Sequence, residues 1–159
     1  GAVYEQYFQE IDKVKGQKGV LSVEKKLFVE TNNGTNRQIR PVTPEQPLRI
    51  GDKVIVRLTI RTDREMNSVF LKDLRAGCFE PADQLSSPES RDGIWYYRSP
   101  KDVSENFFIN RLPEGTFVLE YPVYVSRSGE YAGGISTIQC MYAPEFVSHT
   151  AGESLRIMP

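Results

Sequence analysis

The sequence has one histidine, His149, and only two cysteines, Cys78 and Cys140. One imidazole and two thiols far apart in the chain argue against a zinc site, which needs three or four converging N or S ligands. His149 stands in Ser148-His149-Thr150, after the strong strand pattern has ended, and reads as a surface or capping residue rather than a general base. The two cysteines suffice for one disulfide in an exporting compartment and equally for two buried thiols; both readings stay open, because the required Cα separation is not visible in a sequence. No apolar run approaches the roughly 18 residues of a membrane-spanning helix, and no signal peptide is present. The chain begins Gly1-Ala2-Val3 without an initiator Met, as an excised fragment does, so missing targeting signals say nothing about where its parent resides. The net charge of −1 offers neither nucleic acid nor an anionic membrane a field to follow. Gly-rich phosphate loops, a nucleophile elbow and the His-Glu-x-x-His pattern are all missing. The expectation is a protein without cofactor or metal, and not an enzyme.

What is present is alternation. At 159 residues the chain is one domain, or a domain with an arm, and such a chain buries roughly two thirds of its unfolded surface. In Lys53–Thr62, Val54, Val56, Leu58 and Ile60 share one face; Lys53, Arg57, Thr59 and Arg61 share the other, with Ile55 the exception. That is a strand with one face on a core and one in water. Over residues 117–125, Phe117, Leu119, Tyr121, Val123 and Val125 lie together, opposite Val118, Glu120, Pro122 and Tyr124. Pro122 lacks a ladder donor, which places this strand at an edge or a bulge there. Further strands are expected over 21–30, 69–72, 94–98, 106–110, 134–142 and 154–158. Turn signals separate them at Asn33-Gly34, Ile50-Gly51-Asp52, Asp92-Gly93, Pro113-Glu114-Gly115 and Ser128-Gly129. Gly133-Gly134 reads as a bulge or a close approach of two backbones. Many short strands at this spacing imply an all-β sandwich or barrel.

Residues 40–47 hold Pro41, Pro44 and Pro47 and read as an extended linker or edge segment. Residues 76–91 read as a long polar loop that is functional or packs over one end of the sandwich. The aromatic segment Ala2-Val3-Tyr4-Glu5-Gln6-Tyr7-Phe8 reads as an extended strand set apart by a polar stretch. Residues 1–18 are thus a strand and linker from a preceding domain, or the sandwich's first strand, and 19–159 the sandwich domain. Asp63-Arg64-Glu65 and the pair Glu89 and Asp92 place acids close in sequence, but paired acids hydrolyse glycosides only when they face each other across a sugar; charged turns explain them better. Trp95-Tyr96-Tyr97 resembles a sugar-binding platform in composition, although alternate strand residues face opposite sides, so part of it belongs to the core. Asn33-Gly34-Thr35 fits a glycosylation acceptor and, better, a tight hairpin turn.

Several blocks occur in a telling order: Asn106-Phe107-Phe108-Ile109, Leu112-Pro113-Glu114-Gly115-Thr116, Val118-Leu119-Glu120-Tyr121 and Met141-Tyr142-Ala143-Pro144-Glu145-Phe146. With Gly51-Asp52-Lys53-Val54, Val69-Phe70-Leu71-Lys72-Asp73 and Cys78-Phe79-Glu80-Pro81, they resemble the last macroglobulin-like domain of bacterial alpha-2-macroglobulins, the MG10 type. The resemblance covers nearly the whole chain. It implies an immunoglobulin/fibronectin-like antiparallel β-sandwich with an N-terminal extended strand, in a large envelope protein, often periplasmic and lipid-anchored, that traps proteases. It further implies a non-catalytic C-terminal domain that packs against a thioester domain of the same polypeptide and shields the thioester. Its partners would be that domain, the neighbouring macroglobulin domains and, through the full-length protein, target proteases. The implied contact is formed by Met141, Tyr142, Pro144 and Glu145. The Cys-Gly-Glu-Gln thioester motif is absent from this chain, and neither Cys78 nor Cys140 stands in that context. A cell-surface adhesin or carbohydrate-binding sandwich is the alternative.

Overall fold

A computed structural model describes residues 20–33, 36–82, 87–91, 93–101 and 103–159; nothing is said of the side chains of 33, 37 and 87–91. The expected N-terminal strand, and with it the division at residue 18, lies outside the described residues. So do Gly34 and Thr35 of the acceptor triplet, and Asp92.

The described residues form strands and no helix, in the order β1 (Leu21–Asn33), β2 (Asn36–Pro41), β3 (Leu48–Arg49), β4 (Lys53–Thr62), β5 (Met66–Leu74), β6 (Phe79–Pro81) and β7 (Ser87–Arg91), followed by β8 (Ile94–Pro100), β9 (Ser104–Leu112), β10 (Gly115–Val125), β11 (Gly129–Ala132), β12 (Ser136–Cys140), β13 (Ala143–His149) and β14 (Ser154–Met158). A five-stranded antiparallel sheet, β2-β1-β4-β10-β6, faces a six-stranded antiparallel sheet, β13-β12-β5-β9-β8-β7. A small sheet, β11-β14-β3, includes one parallel pair, β14 with β3. The fold is the expected antiparallel sandwich.

Alternation places the core. Val54, Val56, Leu58 and Ile60 of β4 and Leu119, Tyr121 and Val123 of β10 point inward, against Leu71 of β5, Phe107 and Ile109 of β9 and Ile138 of β12, all buried. Tyr96 and Tyr121 flank the Phe107 ring at 5.7 and 6.1 Å. Fully burying one such apolar side chain is worth about 1.5–3 kcal/mol, so this shared layer is a large part of what joins the two sheets. Ile55, the exception, is buried on the outer face, in register with Phe28 on one side and Pro122 on the other. The Arg57 guanidinium lies 4.4 Å from the Phe28 ring on that face. Among the described residues β6 pairs with residues 123–125 of β10, and the Pro122 carbonyl accepts from Ala82 N–H just beyond that pairing.

Three expectations change. The 76–91 loop contains two strands, β6, which ends at Pro81, and β7, which carries Pro88 in register with Tyr97. It does close one end, with Ala76, Cys78 and Phe79 buried and the Cys78 carbonyl accepting from Ser126 N–H at 2.8 Å. The proline-rich 40–47 segment ends β2 and then makes a local turn in which Thr43 bridges Gln46. His149 is not beyond the strands but is the last residue of β13, paired with Thr137.

Candidate functional site

The expected strand over 134–142 begins only at Ser136, because Gly133 and Gly134 run against other backbone. A Cβ on Gly133 would stand 2.7 Å from the Glu153 carbonyl oxygen, and one on Gly134 would overlap the Leu74 carbonyl. The close-approach reading of these glycines is therefore the correct one. Strand β12 then runs inward-facing through Ile138 and Cys140 and stops.

Met141 and Tyr142 form the turn between β12 and β13. The Met141 N–H donates to the Ser68 carbonyl at 2.8 Å, which ties the turn to β5. Neither side chain enters the core: Met141 is 53% exposed and Tyr142 82%. The two do not end a core strand, since the chain reverses at them. Pro144 and Glu145 are exposed near the start of β13, an edge strand. Pro144 is tolerated in β13 because it falls in the register shift between the Cys140–Ala143 and Gln139–Val147 pairs, where no ladder donor is required. Its carbonyl accepts from Gln139 Nε2 at 3.3 Å. The structure thus brings all four predicted contact residues to one hairpin tip.

The other sequence candidates do not converge. Asp63 pairs with Arg64 at 2.9 Å and Glu65 with Arg111 at 3.0 Å, in exposed turns. Cys78 and Cys140 are buried, unbridged thiols, and burial raises the Cys78 pKa, which keeps it protonated and unreactive. Tyr96 is core, whereas Trp95 and Tyr97 face outward. A groove of about 840 Å³ lies between β1, the 41–48 segment and residues 150–156. Among its described lining residues are neither His149 nor the Asp63 and Glu65 pair.

Sequence reasoning missed a buried ionic network between the two sheets. Asp73 of β5 accepts from Ser136 Oγ at 2.6 Å, from Lys25 Nζ at 2.8 Å and from the Tyr121 hydroxyl. Lys25 and Tyr121 belong to the five-stranded sheet, so this carboxylate joins both layers. Lys25 Nζ also donates to the Gly134 carbonyl at 3.0 Å. Beside it, Glu105 accepts from Arg98 Nε at 2.8 Å and from Arg75 Nη1 at 3.2 Å. Burial pushes the Glu105 carboxyl up, and Arg98 and Arg75 oppose that rise. The signal was in the alternation. Lys25, Asp73, Arg98 and Glu105 each occupy an inward position of their strand, where a charge must find a partner.

Burial, then the neighbouring Asp73, raises the Tyr121 hydroxyl well above its ordinary 10.0. Above about pH 10 the unfolded chain has lost that proton and the folded chain has kept it, so stability falls as pH rises, by up to about 1.4 kcal/mol per pH unit. Urea midpoints compared between the parent and Tyr121→Phe are expected to differ most near neutral pH and to converge above about pH 10. A gap that stays constant through that range rules this coupling out.

The bacterial alpha-2-macroglobulin MG10 domain model matches residues 21–145. The crystal structure of Salmonella alpha-2-macroglobulin reacted with methylamine superposes with a TM-score of 0.67 at 21% identity, covering 89% of this chain and 9% of that one. Trypsin-activated alpha-2-macroglobulin from Escherichia coli gives 0.67 at 18% identity, covering 89% and 10%. A curated relative, "Circularly permutated Ras protein 2" from Dictyostelium discoideum, is 28% identical over 109 residues, 69% of this chain and 3% of its own length. The chain therefore spans a small part of each of these proteins. The family match runs from the start of β1 into β13, across both sheets and the Met141–Tyr142 turn, and on it the chain belongs to the bacterial alpha-2-macroglobulin MG10 domain family.

Proposed function

We propose that this domain is a non-catalytic part of a protease-trapping alpha-2-macroglobulin of the bacterial cell envelope, and that its Met141–Tyr142 tip covers a thioester in a neighbouring domain. The observation that carries the reading is the tip itself. Two large side chains stand exposed on a turn that a backbone hydrogen bond holds to β5. A thioester survives only where water is excluded. Methionine adapts its shape to a partner and tyrosine offers a broad apolar face with a polar end, which suits a cover that must also release. Pro144 and Glu145 flank the tip and would complete the contact. Two proteins of this fold are consistent with such a role: the Salmonella one was reacted with methylamine, a small nucleophile, and the Escherichia coli one was activated by trypsin. The same reading makes residues 1–18 the connection from a preceding domain and 19–159 the sandwich domain.

Truncating two anchor side chains at an interface costs about 1–3 kcal/mol, or roughly ten- to hundredfold in how often the contact opens. In a full-length parent that carries a thioester, Met141→Ala with Tyr142→Ala is expected to speed methylamine incorporation by that factor. An unchanged rate removes the shielding role.

A further inference from the structure

We propose that the outer face of the six-stranded sheet is a docking surface for another folded domain of the same polypeptide, and that it extends the contact begun at the Met141–Tyr142 turn. The proposal rests on the reading of that turn given above. The strand register sets Gln139, Phe70, Phe108 and Tyr97 side by side on β12, β5, β9 and β8. Trp95 lies two residues before Tyr97, so it shares that face. Phe70 and Phe108 meet with ring centroids 4.8 Å apart. Trp95 is 70% exposed, Phe108 48% and Tyr97 45%. Three strand spacings, about 14 Å, separate β12 from β8, so the exposed rings span the scale of an interface core, and the turn begins two residues after Gln139 at one end of the row. Scattered exposed apolar residues need no explanation, but a contiguous aromatic row does. The core does not need these rings: Tyr96, Phe107 and Leu71, their inward neighbours on the same strands, already fill it.

The chemistry favours a protein over a sugar. Phe70 and Phe108 carry no hydrogen-bonding tip, and they hold the centre of the row. Charge lies at the margin, in exposed Lys72 and in the Arg111–Glu65 pair at 3.0 Å. An aromatic centre with a charged rim is how protein interfaces are built. The occupant follows from length. The Salmonella and Escherichia coli proteins of this fold match the domain over only 9% and 10% of their chains, so in a protein of that plan most folded surface lies on the same polypeptide. Tethering raises the effective concentration of such a surface to roughly millimolar, so a patch of this size suffices.

Hydroxyl-radical footprinting read by mass spectrometry tests this on the 159-residue chain and on the full-length parent. Labelling of Trp95, Tyr97 and Phe108 is expected to fall roughly fivefold or more in the parent, as for side chains at the dry centre of an interface. Equal labelling in both overturns the proposal. Protection of Met141 and Tyr142 without the aromatic row also overturns it and leaves the shielding role standing. Protection of the row without the turn supports the docking face and removes the shield. Protection of the row by an added soluble glycan, with no difference between chain and parent, overturns the proposal in favour of a carbohydrate platform.

Discussion

Asp73→Ala is expected to cost about 3–5 kcal/mol of unfolding free energy. A domain of this size holds about 5–15 kcal/mol in total, so the variant should sit near the edge of folding. The magnitude follows from what the carboxylate holds. It accepts from Lys25 Nζ, Ser136 Oγ and the Tyr121 hydroxyl, and Asp73 and Tyr121 are both fully enclosed. Truncation leaves the part-buried Lys25 ammonium without its counter-ion, holding only the Leu74 and Gly134 carbonyls, and leaves the buried Tyr121 phenol facing a void; an unmet buried polar group costs about 1–3 kcal/mol, more where a charge is involved. Asp73→Asn should do less harm. The amide keeps one oxygen for Lys25 and Ser136, while the Tyr121 hydroxyl can rotate to accept from the amide N–H. Adding Lys25→Met to Asp73→Asn should then recover part of the loss, since removing both members of a buried pair is often close to neutral. Urea midpoints at constant slope give the numbers. A loss below about 1 kcal/mol for Asp73→Ala would mean that the sheets are joined by apolar contact alone and that the network is incidental.

That network marks where sequence reasoning was strong and where it stopped. Alternation alone identified the inward face of β4 and β10, because each carries a long run of large apolar residues at one parity. It also found the β14 bounds. It missed β6 and β7, runs of three and five residues that carry proline and too few apolar residues to show a period. It passed over the charges at inward parity because each was read within its own strand. Asp73 follows Val69 and Leu71, Glu105 precedes Phe107 and Ile109, and Arg98 follows Ile94 and Tyr96. Only the sheet order brings them together, since Lys25 and Asp73 are 48 residues apart in the chain. The hairpin tip was legible for a different reason. The Met141-to-Pro144 block drew attention by resemblance, and resemblance does not say whether a residue is core. The reversal of the chain at Met141–Tyr142, which exposes both, comes from the β12–β13 pairing.

Gly134→Ala is the second large effect expected, about 3 kcal/mol or more, because overpacking and lost buried hydrogen bonds act together there. The added methyl would overlap the Leu74 carbonyl, a backbone atom that cannot rotate away. Either strand must therefore shift. A shift of β5 at Leu74 disturbs the hydrogen bond from Leu74 N–H to the Ile135 carbonyl, and it moves Asp73, one residue away. A shift of the 133–135 segment moves the Gly134 carbonyl away from Lys25 Nζ. Both routes lead into the network that joins the sheets, so the strain cannot stay local. Gly77→Ala is the control. There the new methyl would meet only the Tyr131 ring at 3.6 Å, an ordinary contact, and the cost should remain within about 0.5–1 kcal/mol. Equal midpoints for the two variants would show that residues 133–135 yield without cost and that their approach to β5 is not a constraint on the fold. If Gly134→Ala alone is strongly destabilised, combining it with Asp73→Ala should cost less than the sum, because residues that share one network do not add.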